Sequence, residues 1–178
     1  MRETDRIIDG CAQEMIECLR EIIRIPSVKE QPAPGAPFGG NINKALEYTL
    51  SLCRRLGFET ANVDGYAGYA QFPGQKEEQL GILCHLDVVP AGEGWLHPPY
   101  EGVYENGVIY GRGAVDDKGP AISAIYALAA LKRAGAAFRR TPRIIFGCDE
   151  ESGWECMDYY ASKIGCLKWA FRPTPIIP

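Results

Sequence analysis

Three short stretches of the sequence carry the residues that could do chemistry, and each follows or closes an apolar, strand-like run. They are residues 84–87, with His85 and Asp87; residues 111–120, with Asp116 and Asp117; and residues 149–153, with Glu150 and Glu151. Imidazole nitrogens and carboxylate oxygens are ligands that Zn²⁺ accepts. Where two acids are adjacent, one can bind metal while the other moves a proton. The three stretches therefore predict part of a metal site for metal-assisted hydrolysis.

Strands must bring these stretches together. Residues 79–89 and 143–148 are nearly all apolar, which is typical of strands buried on both faces. Periodicity predicts helices over 5–24 and 41–56, a further helix after Asp117 and another from Trp154. Shorter strands are predicted at 58–63 and 66–72, with a hairpin around Asn106-Gly107. This alternation predicts an α/β domain, whose ligands gather at the carboxyl ends of the strands, where all three stretches lie.

Each stretch also has a plainer interpretation. A His-x-Asp pair can be a hydrogen-bonded core histidine, an Asp-Asp pair can cap a helix, and a Glu-Glu pair can be a solvated turn. The Gly111-x-Gly113 segment lacks the later residues of a phosphate-binding loop, and the acids that follow would repel phosphate. Because residues i and i+2 of a strand share a face, Asp87 can orient His85 for a metal. The presence of all three stretches favours the metal site.

Composition limits the class of protein. The chain has 178 residues, 46% of them hydrophobic, which is enough for one domain with its own core. Its 19 basic and 23 acidic residues give a net charge of -4 without a basic run, so nucleic acid is not an expected partner. A charged start and the lack of a long apolar run predict a soluble, cytoplasmic protein with no membrane partner. Seven cysteines without a Cys-x-x-Cys pair indicate reduced, buried thiols, with a disulfide framework as the alternative.

Taken together, His85-Leu86-Asp87, residues 111–120 and residues 149–154 resemble the M20 metallopeptidase family, closest to its bacterial dipeptidase V branch. Residues 25–28, 36–39 and 88–95 resemble that branch too, and the match runs from about residue 5 to Tyr160. The resemblance implies a three-layer α/β/α zinc-peptidase-like catalytic domain that hydrolyses dipeptides with a metal-activated water. Its substrate partner would be a small peptide, and the oligomeric state stays open.

The resemblance also implies roles for individual residues. His85, Asp116 and Glu151 would hold two zinc ions, with Asp116 bridging them, and Mn²⁺ or Co²⁺ could take the place of zinc. Asp87 would orient His85, and Glu150 would be the general base. A cis peptide bond is expected between Asp116 and Asp117. His97 matches no ligand position of the family and is interpreted as a loop residue.

The chain departs from the family in length and at its end. Family members are much longer, with a lid domain and further metal ligands downstream. We expect residues 1–160 to be the N-terminal part of the catalytic domain, incomplete and without the lid. Residues 161–178 are expected to be a frameshifted tail, because their permitted codons, read two bases on, spell a segment similar to the family's next one. Little activity is expected of this chain alone; the alternatives are an inactive remnant and an amidohydrolase that releases acyl groups from amino acids.

Overall fold

The computed structural model describes residues 2–165, 167, 170–171 and 173. Its helices are α1 (Glu3–Ile23), α2 (Gly40–Arg55), α3 (Lys118–Arg133) and α4 (Glu155–Ile164). Its strands are β1 (Glu59–Val63), β2 (Ala67–Gln71), β3 (Lys76–His85), β4 (Val103–Glu105), β5 (Val108–Tyr110), β6 (Arg140–Gly147) and β7 (Ala170–Phe171). Among these residues no helix has both the length and the apolar character needed to cross a membrane.

Helices α1 to α4 and strands β1 to β6 lie close to their predicted positions, with two informative differences, whereas β7 was not predicted. The strand predicted over 79–89 ends at His85: the Leu86 amide still donates to the Gly147 carbonyl of β6, but the Val88 amide donates to the Ser27 carbonyl, outside the sheet. Asp87 therefore lies in a loop just beyond β3. The second difference concerns Asp117, which occupies the cap position of α3 but makes no side-chain capping hydrogen bond, because its carboxylate is used elsewhere.

Five strands form one mixed sheet in the order β1-β2-β6-β3-β7. Strands β3 and β6 run parallel, with Cys84 opposite Phe146 and His85 opposite Gly147. Their carboxyl ends are therefore neighbours, and the residues that follow them, 86–88 and 148–151, leave the sheet side by side. This register places two of the three candidate stretches side by side at the carboxyl ends of β3 and β6.

Helices cover both faces of the sheet. Alternate residues of β6 point to opposite faces: Ile144 and Phe146 join the larger core with α1, α2 and α3, whereas Ile145 packs with Tyr160 of α4 in a smaller core. All these side chains are buried, and each contributes about 1.5–3 kcal/mol relative to an exposed one. The predicted three-layer α/β/α architecture is confirmed.

The β7 edge of the sheet leaves apolar side chains exposed. Strand β7 pairs with β3 at Gly81 and Ile82, and Phe171 and Leu131 nearby are 50% and 39% exposed. Much of the predicted frameshifted tail, at residues 166, 168–169, 172 and 174–178, lies outside the described residues.

Candidate metal centre

His85 is the last residue of β3 and is buried, with 3% of its surface exposed. Its Nδ1 lies 3.1 Å from the Asp87 carbonyl oxygen and 3.4 Å from Asp87 Oδ1. A carbonyl oxygen accepts hydrogen bonds, so Nδ1 carries a hydrogen and donates it. The other ring nitrogen, Nε2, faces Asp116 Oδ1 at 2.9 Å. A ring held through Nδ1 with Nε2 turned towards acids is the arrangement of a histidine metal ligand.

The buried carboxylate of Asp87 fixes the backbone of both candidate glutamates. Its Oδ1 accepts the Glu150 amide at 3.1 Å, and its Oδ2 accepts the Glu151 amide at 2.9 Å. The sequence predicted that Asp87 would orient His85; these amide bonds are an additional role that no local pattern signals, because they join residues 63 and 64 positions apart.

Residues 149–153, hereafter the acidic loop, bring two carboxylates to His85. One ligand atom each of His85, Glu150 and Glu151 can be chosen so that all lie within 4.8 Å of one another. The distance from His85 Nε2 to Glu150 Oε2 is 3.9 Å. Burial raises the pKa of Glu151, while the charge of His85 acts in the opposite direction. The cluster has the donor types and spacing to hold a divalent cation.

Residues 113–118, hereafter the Asp116 turn, lead into α3 and bring a further carboxylate to the same imidazole. The Asp116 side chain is 51% exposed and reaches His85 Nε2, whereas the buried Asp117 carboxylate accepts the His85 amide at 3.0 Å. The Asp116-Asp117 peptide bond is cis, as the resemblance implied. The structure thus brings His85, Asp87, Asp116, Glu150 and Glu151, all predicted from the sequence, into one cluster.

Lys118 anchors the Asp116 turn to the end of α1. Its ammonium donates to the Ile22 and Ile25 carbonyl oxygens at 3.0 and 2.7 Å, and its side chain is fully buried. Burial lowers the pKa of Lys118 to about 7, against a smaller opposing effect of Asp87. Gly113, at φ +87°, leaves room for the lysine stem, since a Cβ there would lie 2.9 Å from Lys118 Cδ. Sequence reasoning missed Lys118; its position directly after an Asp-Asp pair, in an otherwise apolar helix, was the available signal.

The electrostatics of the cluster favour a cation. Burial lowers the pKa of His85, but a hydrogen bond to Asp87 and its charge, a hydrogen bond to Asp116 and the charge of Asp117 outweigh burial and raise the pKa to about 9. The raised pKa reflects the negative charge gathered around the imidazole, which the positive charge of a metal ion would also offset. The residues present therefore fit the metal that the resemblance implies.

His97 and the cysteines lie outside this cluster. His97 packs against Tyr110 with ring centroids 4.4 Å apart and lies 3.7 Å from Glu105, in agreement with its interpretation as a loop residue. Cys84 and Cys148 are buried in the larger core, and none of the six cysteines in the described part of the chain forms a disulfide bond.

Known proteins resemble this chain in both sequence and structure. A protein named "Putative dipeptidase YtjP" from Bacillus subtilis (strain 168) is 42% identical over 168 residues, which are 93% of this chain and 36% of that protein. The chain therefore spans about a third of the length of the curated relatives it matches. Human carnosine dipeptidase 1 superposes with a TM-score of 0.80 and 23% identity, over 99% of this chain and 42% of that structure.

Two further solved structures share the fold and are described as metal-dependent. An M20 family metallo-carboxypeptidase, Sso-CP2 from Sulfolobus solfataricus, gives a TM-score of 0.74 at 22% identity, over 90% of this chain and 37% of that one. The Bacillus subtilis YXEP protein, described as a dinuclear metal binding peptidase, gives 0.67 at 16%, over 92% and 43%.

The family match covers the cluster itself. The model of peptidase family M20/M25/M40 matches residues 81–173, which include His85, Asp116 and the acidic loop. The matched residues run past Tyr160, so the match does not mark a boundary there, and the frameshifted tail stays a prediction. A match over more than half of the chain, on a fold shared with solved members, shows that this chain belongs to peptidase family M20/M25/M40.

Proposed function

We propose that this chain forms part of the active site of a metal-dependent dipeptidase, in which a metal-activated water attacks the peptide bond. The observation that carries the proposal is the convergence of His85, Glu150 and Glu151 within 4.8 Å, with Asp116 against the same imidazole. The dipeptidase name of a 42% identical relative supports the substrate class.

His85 Nε2 and the carboxylates of Asp116 and Glu151 would hold the metal, and Asp116 would contribute to both ions if two are bound. Bound zinc, or Mn²⁺ or Co²⁺ in its place, would polarise the scissile carbonyl and lower the pKa of the attacking water. Asp87 keeps the hydrogen on His85 Nδ1 and so leaves Nε2 for the metal.

Glu150 is proposed as the general base. Its carboxylate lies 3.9 Å from His85 Nε2, next to the proposed ligands, so it can take a proton from water and deliver it to the leaving amine. Asp87 fixes the amide of Glu150 and thereby limits the positions its side chain can reach.

Metal content and dipeptide hydrolysis test the proposal together. The purified chain is loaded with Zn²⁺, dialysed and analysed for bound metal, and then assayed with a dipeptide and with an N-acetyl amino acid. We expect wild type to retain zinc, Glu151→Gln to lose it, and Glu150→Gln to retain it. Little hydrolysis is expected of this chain alone, so the effect of Glu150→Gln on activity is measured in the longer form described below, where it should abolish hydrolysis. A wild-type chain that retains no zinc would contradict the metal site, and a preference for the N-acetyl amino acid would favour the amidohydrolase alternative.

Because the chain spans about a third of its relatives, a longer form is assayed beside it. In that form, residues 161–178 are replaced by the shifted-frame reading and continued through the rest of the gene. Hydrolysis by the longer form alone, with zinc bound by both, would assign this chain as an inactive remnant of a dipeptidase.

A further inference from the structure

Lys29 joins the segment after α1 to the start of the acidic loop. Its ammonium lies 2.7 Å from Asp149 Oδ1, although the two residues are 120 positions apart in the sequence. Asp149 is fully buried, while the Lys29 side chain is 36% exposed. A buried carboxylate needs a compensating charge or hydrogen bonds, and Lys29 supplies the charge.

Other contacts hold Lys29 in this position. The Ser27 hydroxyl donates to the Leu86 carbonyl at 2.6 Å, and the Ser27 carbonyl accepts the Val88 amide at 3.0 Å. These bonds fasten the segment on either side of Asp87. The Phe38 ring lies 5.2 Å from the Lys29 ammonium, in cation–π range. The hydrogen bond with Asp149 also raises the pKa of Lys29, so the ammonium stays charged at neutral pH.

Asp149 links Lys29 to the rest of the acidic loop. Its Oδ2 accepts the Glu155 amide at the start of α4, and its carbonyl accepts the Trp154 amide at 2.8 Å. The next two amides, of Glu150 and Glu151, are held by Asp87. The loop is therefore fixed at its start by Lys29 and Asp149, in its middle by Asp87, and at its end by α4.

We propose that Lys29 is a positioning residue for the Glu150-Glu151 pair, acting through Asp149. The proposal rests on the proposed function, since it assigns a purpose to the geometry of those glutamates. Without the ammonium, the Asp149 carboxylate is buried without the charge that compensates it. Movement of this carboxylate towards solvent would displace the residue directly before Glu150.

The test compares Lys29→Met, which removes the charge from a side chain of similar length, with Lys29→Arg, which keeps it. Lys44→Met is the matched control, because Lys44 is exposed and its ammonium contacts Asn41 on the surface of α2. Zinc affinity is measured by competition with a chelator, and the unfolding free energy of the metal-free proteins by urea titration. Partners that support metal ligands indirectly typically affect affinity 10–100-fold, so we expect about tenfold weaker zinc binding in Lys29→Met. Lys29→Arg should restore most of the affinity, and Lys44→Met should match wild type.

Hydrogen exchange gives a readout that needs no metal. We expect the Glu150 and Glu151 amides to exchange faster in Lys29→Met, while amides in the middle of β6 keep their protection. Unchanged zinc affinity and unchanged exchange in Lys29→Met would overturn the role of Lys29, as would a loss of stability with zinc affinity intact. If wild type itself binds no zinc, the proposed function fails, and the exchange of the two glutamate amides decides whether Lys29 positions the loop.

Discussion

The acidic loop and the Asp116 turn both carry candidate ligands to His85, but they are held in different ways. In the acidic loop, the amides of Glu150 and Glu151 are themselves bonded, to the carboxylate of Asp87. In the Asp116 turn, the anchors are the neighbours of the candidate ligand: Asp117 bonds the His85 amide, and Lys118 bonds the end of α1.

The candidate ligands of the two segments also differ in how much of their side chains is exposed. Asp116 is 51% exposed although the next two residues are fully buried, whereas the Glu150 side chain is 20% exposed. We infer that the acidic loop has its final conformation before a metal ion binds. The Asp116 side chain would adopt its final conformation only when the ion is bound. The predictions that follow test this contrast, from the largest expected effect to the smallest.

Lys118→Ala should break the anchor of the Asp116 turn. The substitution removes a fully buried stem and the hydrogen bonds to the Ile22 and Ile25 carbonyls, so we expect a loss of about 3 kcal/mol in the free energy of unfolding. Urea titration measures it. Lys118→Met, which keeps most of the volume, should lose less; an equal loss in both variants would assign the effect to the hydrogen bonds and not to packing.

Zinc should stabilise the folded protein because both the acidic loop and the Asp116 turn would supply ligands to it. At a free zinc concentration about one hundred times the dissociation constant, the free energy of unfolding should rise by about 2.7 kcal/mol. Thermal or urea unfolding with and without zinc measures the gain. Asp116→Asn and Glu151→Gln should each remove most of it, while Glu150→Gln should keep it. Full zinc stabilisation in Asp116→Asn would show that the Asp116 turn supplies no ligand.

Asp87→Asn should loosen the acidic loop. One amide of the loop would then face the side-chain NH₂ group of the introduced asparagine, another donor, and a buried mismatch of this kind costs about 2 kcal/mol. Urea titration provides the measurement, with Asp9→Asn on the exposed side of α1 as the control. Stability equal to that of the control would contradict the role assigned to the Asp87 carboxylate.

The smallest expected effect is a change in the reactivity of the thiols that flank the acidic loop. Cys148 and Cys156 flank the loop; burial raises the pKa of Cys156 to about 11 and that of Cys148 well above its usual value. Cys53 in α2, whose pKa burial raises to about 12, serves as a distant reference. At pH 8 these three thiols stay protonated and enclosed, so they should react slowly with Ellman's reagent in the folded protein. The measurement uses Cys166→Ser, because Cys166 lies outside the described residues.

Adding Asp87→Asn to that background should speed the reaction of Cys148 and Cys156 and leave Cys53 unchanged. Peptide mapping of the labelled protein distinguishes the three positions. Equal acceleration at Cys53 would indicate general unfolding rather than opening of the acidic loop.

Much of the fold could be predicted because its determinants are local. The apolar runs before His85 and Asp149 predicted β3 and β6, and helical periodicity predicted α1 and α2. The predicted end of β3 was wrong by four residues: the strand was predicted to reach Val89, but it ends at His85, after which the Leu86 and Val88 amides donate to the Gly147 and Ser27 carbonyls. Hydropathy does not record those bonds, because their partners are remote in sequence.

The sequence by itself determined the chemistry available to this protein: an imidazole, an Asp-Asp pair and a Glu-Glu pair, each at the end of a predicted strand or the start of a predicted helix. Residue type and local periodicity suffice for that inference. The tertiary structure decided which atoms meet: Asp87 with the glutamate amides, Lys118 with the end of α1, and Lys29 with Asp149. Each contact joins residues more than 60 positions apart, and the folded sheet and its packed helices bring them together.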